Sequence, residues 1–155
     1  MFSTPSTPNL ADFWVFLNTS VQIPVAALPI NSPWPGYAFD QAMALVPCYP
    51  GVSGIMYSLA VYNCATALLF LITPDQTGQT YFAIKRGNTA DGYSLTAPST
   101  GLVVSSSDEG TSATLTAPTW ANGLTVSQLG FMKTVWGREY LSYIQSYGPS
   151  IWGLS

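Results

Sequence analysis

The feature that most constrains the fold is an uncharged, mostly apolar run from Ser53 to Thr73, which ends at Pro74 and Asp75. We expect one long helix here, with Ser53 as its N-cap. The span 55–73 just reaches the length needed to cross a membrane. No basic residue follows the run closely, and polar side chains interrupt it. We therefore predict a buried core or interface helix and no membrane, with a membrane-spanning helix as the alternative; the interrupting side chains are Ser58, Tyr62, Asn63 and Thr66.

Charge is scarce along the whole chain. Only 7% of the 155 residues are charged, whereas 48% are hydrophobic. Soluble monomers rarely leave large apolar patches exposed. The length suits a single domain spanning 1–155, so we expect this domain to cover its outer surface by assembling with copies of itself and with other proteins.

The sequence lacks the residues that most enzymes and nucleic-acid-binding proteins require. It contains no histidine, which removes the commonest general base and metal ligand. Four basic residues neutralise too few phosphates for tight nucleic-acid binding. We predict no catalytic residue, no cofactor and no metal site, and we expect Cys48 and Cys64 to be free thiols, with a disulfide as the alternative. The basic residues are Lys85, Arg86, Lys133 and Arg138.

The residues before the long run predict a helical part over 9–73. The Ser/Thr/Pro-rich segment 1–8 predicts a flexible N-terminal segment that is not a signal peptide. Asn9 or Asp12 can cap a helix that ends at Phe16 or Leu17. Prolines over 21–35 predict an ordered loop. We expect a short helix over 37–46, with Tyr37 and either Met43 or Ala44 facing the core; the apolar face of the first helix comprises Leu10, Phe13, Trp14 and Leu17.

The segment 80–118 differs in kind and predicts a loop with a β-hairpin arm. Residues 81–84 suit either a brief strand or the end of a helix, and Lys85 and Arg86 suit a solvated loop. Two β-prone stretches within 101–117 flank a turn over 107–110, in which Asp108 and Glu109 form a solvated tip rather than an acid–base pair. An isolated two-stranded hairpin is at best marginally stable in water, so we expect this one to lie on a neighbouring protein or to add to another sheet. Its candidate partner-interface residues are Val103, Val104, Asp108, Glu109 and Leu115.

The segment 125–148 predicts one C-terminal helix. Thr125 and Gln128 fit a capping box, and Gly148 followed by Pro149 supplies the stop. Gly130 and Gly137 would let another backbone approach closely. The predicted fold is therefore mainly α, a bundle of about four helices with a protruding β-hairpin or extended loop. Apolar residues along one side of this helix are Leu129, Met132, Trp136, Tyr140, Tyr143 and Tyr147, and the candidate interface residues of this region are Trp136, Arg138, Tyr140, Tyr147 and Trp152.

Two stretches of the last third resemble small head-to-tail adaptor proteins of tailed bacteriophages, also called connector or head-completion proteins. The first is the Ser/Ala-rich run 107–118, which ends in Ala-Pro. The second is the helical run 129–144, which contains Trp136-Gly137-Arg138-Glu139-Tyr140. The Pro-rich stretch 21–35 and the scarcity of charge depart from the pattern of that family.

The resemblance implies a structural virion protein that acts in head completion and tail attachment. It would form a ring, twelve-fold by family resemblance, below the portal protein, and would present a docking surface to the tail or a further neck protein. DNA would pass through the lumen without specific binding. The expected location is the neck of the virion, after assembly in the host cytoplasm. A decoration or tail-tube protein and a small membrane protein spanning 55–73 are the alternatives.

Overall fold

The computed structural model describes residues 6–87, 105–108, 111–114 and 130–148. This part of the chain is mainly helical, as predicted. Five α-helices lie in it, one more than the approximate number expected, together with a short π-helix and two short strands. They are α1 (Leu10–Phe16), the π-helix (Leu17–Val21), α2 (Trp34–Leu45), α3 (Gly54–Ile72), α4 (Tyr81–Gly87), β1 (Ser105–Asp108), β2 (Thr111–Thr114) and α5 (Val135–Tyr147).

Helix α1 begins where the sequence predicts. The side chain of Asn9 accepts a hydrogen bond from the backbone N–H of Asp12 at 2.8 Å, which satisfies one of the free donors at a helix start. Two of the residues predicted for the apolar face, Phe13 and Leu17, are fully buried. Phe16 is also buried, and the π-helix ends at Gln22, which adopts a left-handed backbone conformation.

Helix α2 begins three residues before the predicted start. Its first turn contains Pro35, which is tolerated there because the first N–H groups of a helix have no partner within it. The prediction that Tyr37 and either Met43 or Ala44 face the core is wrong, since all three are exposed. The helix instead turns small side chains inward, so that it can pack closely on α3. The buried positions at the α2 interface are Pro35, Ala38, Phe39, Ala42 and Val46.

Helix α3 is the centre of the fold and confirms the single long helix predicted from the apolar run. The Ser53 side chain accepts from the backbone N–H of Met56 at 3.3 Å and caps it. Helices α2, α4 and α5 pack against α3. Within the described part of the chain, α3 alone is long and apolar enough to cross a membrane, and 56% of that stretch is buried inside the subunit.

One aromatic side chain of α3 fixes the N-terminal elements. The Tyr62 ring is fully buried and lies 5.7 Å, between ring centroids, from both Phe13 and Phe16. Its hydroxyl accepts from the backbone N–H of Asn9 at 3.2 Å. Aromatic pairs of this geometry contribute about 0.5–1.5 kcal/mol beyond the area that they bury. The residue that interrupts the apolar run in the sequence therefore anchors α1 on α3.

The C-terminal helix is shorter than predicted. Residues 130 and 131 are helical, 132–134 form a turn, and α5 begins at Val135. The prediction of one continuous helix over 125–148 is therefore wrong at this turn, while 125–129 lie outside the described residues. Thr134 starts the new helix because its hydroxyl accepts from the backbone N–H of Gly137 at 2.9 Å. Gly148 ends it, as predicted.

The described strands lie within the segment predicted to form an arm. They pair antiparallel, with Ser105 opposite Thr114 and Asp108 opposite Thr111. Asp108 therefore belongs to β1, although the sequence placed it in the turn. The alternative at 81–84 is decided in favour of a helix, α4. The rest of the predicted arm lies outside the described residues, so its protrusion stays a prediction.

Candidate interaction surface

The predicted interface residue Trp136 packs inside the subunit. Its ring stacks on Phe70 of α3, with a centroid separation of 5.0 Å and an interplanar angle of 4°. Phe70 also contacts Phe82 of α4 at 5.6 Å. Three helices therefore meet around one phenylalanine at the C-terminal end of α3. The half-buried Trp136 is first of all a packing residue of this cluster.

Tyr140, also predicted as an interface residue, is buried in the same region. Its ring lies 5.1 Å from that of Phe131 in an edge-to-face arrangement. Burial raises the pKa of Tyr140 to about 12, so its hydroxyl stays protonated throughout the physiological range. Little of this side chain is left for a partner to contact.

Close packing around position 137 explains why the sequence has a glycine there. A Cβ placed here would collide with the backbone carbonyl of Phe131. The sequence predicted close approach of another backbone at Gly130 and Gly137. The approach occurs at Gly137, and the backbone involved is that of Phe131, in the short helical piece before the turn over 132–134. A Cβ at Gly130 would meet no atom within 4 Å.

The outward-facing candidates of α5 are Arg138 and Tyr147. Arg138 is exposed beside Glu139, and Tyr147 is 44% exposed. The Tyr147 ring contacts Tyr143 at 5.4 Å. Among the described candidates with described side chains, these two offer the most surface to a partner. Of the remaining candidates, Asp108 is placed by its backbone in β1, whereas Val103, Val104, Glu109, Leu115 and Trp152 lie outside the described residues.

Sequence reasoning missed the largest exposed apolar side chains. Val25 is 70% exposed and Ile30 is 78% exposed in the loop before α2, and Tyr37 on α2 is 58% exposed. The prolines of this loop predicted an ordered path, but they carry no information about which side chains point outward. The outer surface of this loop and of α2 thus carries several large apolar side chains, which is typical of a surface that another protein covers.

The prediction of a solvated loop at Lys85 and Arg86 is wrong, since both residues lie in α4. Arg86 also has a structural role. Its guanidinium donates to the backbone carbonyls of Phe70 at 3.1 Å and Thr73 at 2.7 Å, at the C-terminal end of α3. A cation at this end complements the helix dipole and satisfies free carbonyls. Arg86 therefore ties the end of α4 to the end of α3.

Asp75 completes this connection from the other side. Its carboxylate accepts from the backbone N–H groups of Phe82 at 2.7 Å and Ala83 at 2.8 Å, and lies 4.0 Å from the Arg86 guanidinium. Asp75 thus satisfies two free N–H groups at the start of α4. Within the described part of the chain, no group of three acidic, cysteine or histidine side chains is placed to hold a metal ion.

Both cysteines are free thiols, in agreement with the sequence prediction. Cys64 is buried in α3, and Cys48 is exposed in the loop between α2 and α3. Burial raises the pKa of the Cys64 thiol to about 12, which keeps it protonated and unreactive at neutral pH. The two thiols therefore differ sharply in chemical accessibility.

Comparison with known proteins gives no relative for this arrangement. The chain matches no protein-family model, and no curated protein and no solved structure is similar to it.

Proposed function

We propose that this chain is a structural subunit that assembles with copies of itself. The observation that carries the proposal is the exposure of Val25, Ile30 and Tyr37 on one protein with very few charges. Burying such side chains in an interface gains about 25 cal/mol per Å² of apolar area. Because the chain has few charged residues, burying its surface removes little favourable hydration of charged groups.

The assembly that we propose is a ring adaptor between the portal and the tail of a tailed bacteriophage. Support comes from the resemblance of 107–118 and 129–144 to head-to-tail adaptor proteins. Trp136, Gly137 and Tyr140 of the shared pattern have a common structural role here, because they pack α5 against Phe70 of α3 and against Phe131 before the turn. In a twelve-membered ring, each subunit contacts its two neighbours through different faces, so one exposed apolar face is covered in every copy.

The distribution of cations suits a lumen through which DNA passes without specific binding. The chain has four basic residues, and Arg86 is engaged by two backbone carbonyls and Asp75. Binding of duplex DNA draws its strength from many phosphate contacts. A surface so poor in cations lets DNA slide past.

The portal and the tail or a further neck protein would contact the ring through the segment 101–117. Its strands β1 and β2 provide backbone pairing, and a two-stranded hairpin gains stability from a neighbour. Val103, Val104, Asp108, Glu109 and Leu115 would supply the side chains of that contact. This docking role belongs to the same proposal.

An aspartate at position 30 tests the self-assembly. We expect Ile30→Asp to shift the sedimentation of the purified chain toward smaller species, because a charge would be buried in the interface at a cost of several kcal/mol. Gln79→Asp is the matched control, since Gln79 is an exposed polar residue in the loop between α3 and α4, outside the loop and helix that carry the proposed interface. Circular dichroism of both variants checks that the helical fold is intact. Equal sedimentation of Ile30→Asp and the parent chain would contradict an interface at this loop.

A further inference from the structure

The loop between α2 and α3, the first turn of α3 and the C-terminal half of α5 together form a face lined by tyrosines. Its members, which we call the tyrosine face, are Cys48, Tyr49, Tyr57, Tyr143 and Tyr147. The Tyr143 ring lies 5.8 Å from Tyr49 and 5.4 Å from Tyr147, and its hydroxyl donates to the Pro47 carbonyl at 3.0 Å. Burial raises the pKa of Tyr57 and of Tyr143, and the nearby Cys48 thiol adds to both shifts.

The segments that form this face contain no charged residue. No Asp, Glu, Lys or Arg occurs between Asp40 and Asp75, and none follows Glu139. Exposed apolar side chains border the face at the start of α3, where Ile55 is 50% exposed. Tyrosine side chains in a surface without charged residues are typical of the buried centre of a protein interface. The surface that covers this face must therefore be uncharged and apolar.

A segment with these properties is tethered at the edge of the face. The last described residue, Gly148, lies next to Tyr49, since a Cβ built on Gly148 would be 3.0 Å from the Tyr49 hydroxyl. The seven residues 149–155 follow, with Ile151, Trp152 and Leu154 and no charge. At about 3.3–3.6 Å per extended residue, the segment reaches at most about 25 Å, enough to cross the tyrosine rings.

We propose that the C-terminal segment 149–155 docks on the tyrosine face of its own subunit, with Trp152 as its main contact. A short tether gives the segment an effective concentration in the millimolar range, which a free partner of similar chemistry does not reach in a cell. Tryptophan and tyrosine are the residues that dominate such contacts. The inference goes beyond the proposed ring and does not depend on it.

Cys48 provides a built-in reporter of this docking. We expect the Cys48 thiol of the full chain to react with a chromogenic disulfide reagent at least about tenfold more slowly than in a chain ending at Gly148, because reaction requires the segment to open. Trp152→Ala, which keeps the chain length, should accelerate the reaction in the same direction. Ser155→Ala is the matched control and should leave the rate unchanged.

Cys64 reports whether each variant stays folded, because it is fully buried and reacts only on unfolding. Equal Cys48 rates in the full chain, in the shortened chain and in Trp152→Ala would overturn the proposal. Protection of Cys48 that increases with protein concentration would also overturn it, since the segment or another part of a second copy would then cover the face. If Cys64 reacts in the chain that ends at Gly148, that chain is unfolded, and the Cys48 rate of Trp152→Ala alone tests the proposal.

Discussion

Replacing Leu69 by alanine should lower the free energy of unfolding by about 2–5 kcal/mol. Leu69 is fully buried in α3, where α2 and α5 pack against the helix, so truncation removes buried methyl groups and leaves a cavity. Urea denaturation followed by far-ultraviolet circular dichroism measures the change. The expected effect rests on the burial of Leu69 inside the subunit.

Leu71→Ala is the control, because Leu71 lies two residues further along the same helix and is 39% exposed. We expect a change within about 0.5–1 kcal/mol for this variant, as for most surface substitutions. In a membrane-spanning helix, the two leucines would not differ in this way. Similar effects at both positions, or recovery of the protein in the membrane fraction alone, would favour the membrane alternative for α3.

Replacing Gly137 by alanine should destabilise the protein by about 1–3 kcal/mol, the usual cost of forcing extra atoms into a packed site. The new Cβ would collide with the Phe131 carbonyl, and moving this backbone would disturb the hydrogen bond from the Gly137 N–H to Thr134. The result would be opposite in sign to the gain of up to about 1 kcal/mol that Gly→Ala gives in an open helix. Thermal unfolding of the purified variant measures it.

Gly130→Ala is the matched control. No atom lies within 4 Å of a Cβ at this position, and the residue is helical. We expect an unchanged or slightly higher midpoint of thermal unfolding. A Gly137→Ala protein as stable as its parent would show that the backbone of Phe131 does not pack tightly against α5 at this position.

Features that depend on neighbouring residues in the chain were predictable. Asn9 and Ser53 cap helices because a short polar side chain next to an apolar run can reach the free N–H groups two or three residues on. The length of α3 followed from the absence of charge and proline. Gly148 ends α5 for a similarly local reason.

Features that depend on contacts distant in sequence were not predictable. The inward face of α2 is set by its fit against α3, which favours Ala38 and Ala42 over the larger Tyr37. Arg86 binds carbonyls sixteen and thirteen residues earlier, and nothing in its local sequence signals this. The break before α5 arises because Thr134 competes as a cap inside an otherwise continuous apolar pattern.

The candidate interaction surface was likewise predictable only in part from the sequence. Scarcity of charge indicated that a partner should cover part of the outside, but the positions involved emerged only from the packing. Trp136 and Tyr140 are aromatic, as interface residues often are, and serve inside the subunit. Ile30 and Val25 lie outside, because the proline-rich loop folds over its other apolar residues, Ala27 and Leu28.

The mass and shape of the purified chain test the central claim most directly. One subunit has a mass of 16.6 kDa. Native mass spectrometry together with negative-stain electron microscopy should show closed rings whose mass is a whole multiple of that value, twelve by family resemblance. A stable species of 16.6 kDa at high protein concentration, with no ring in the images, would contradict self-assembly.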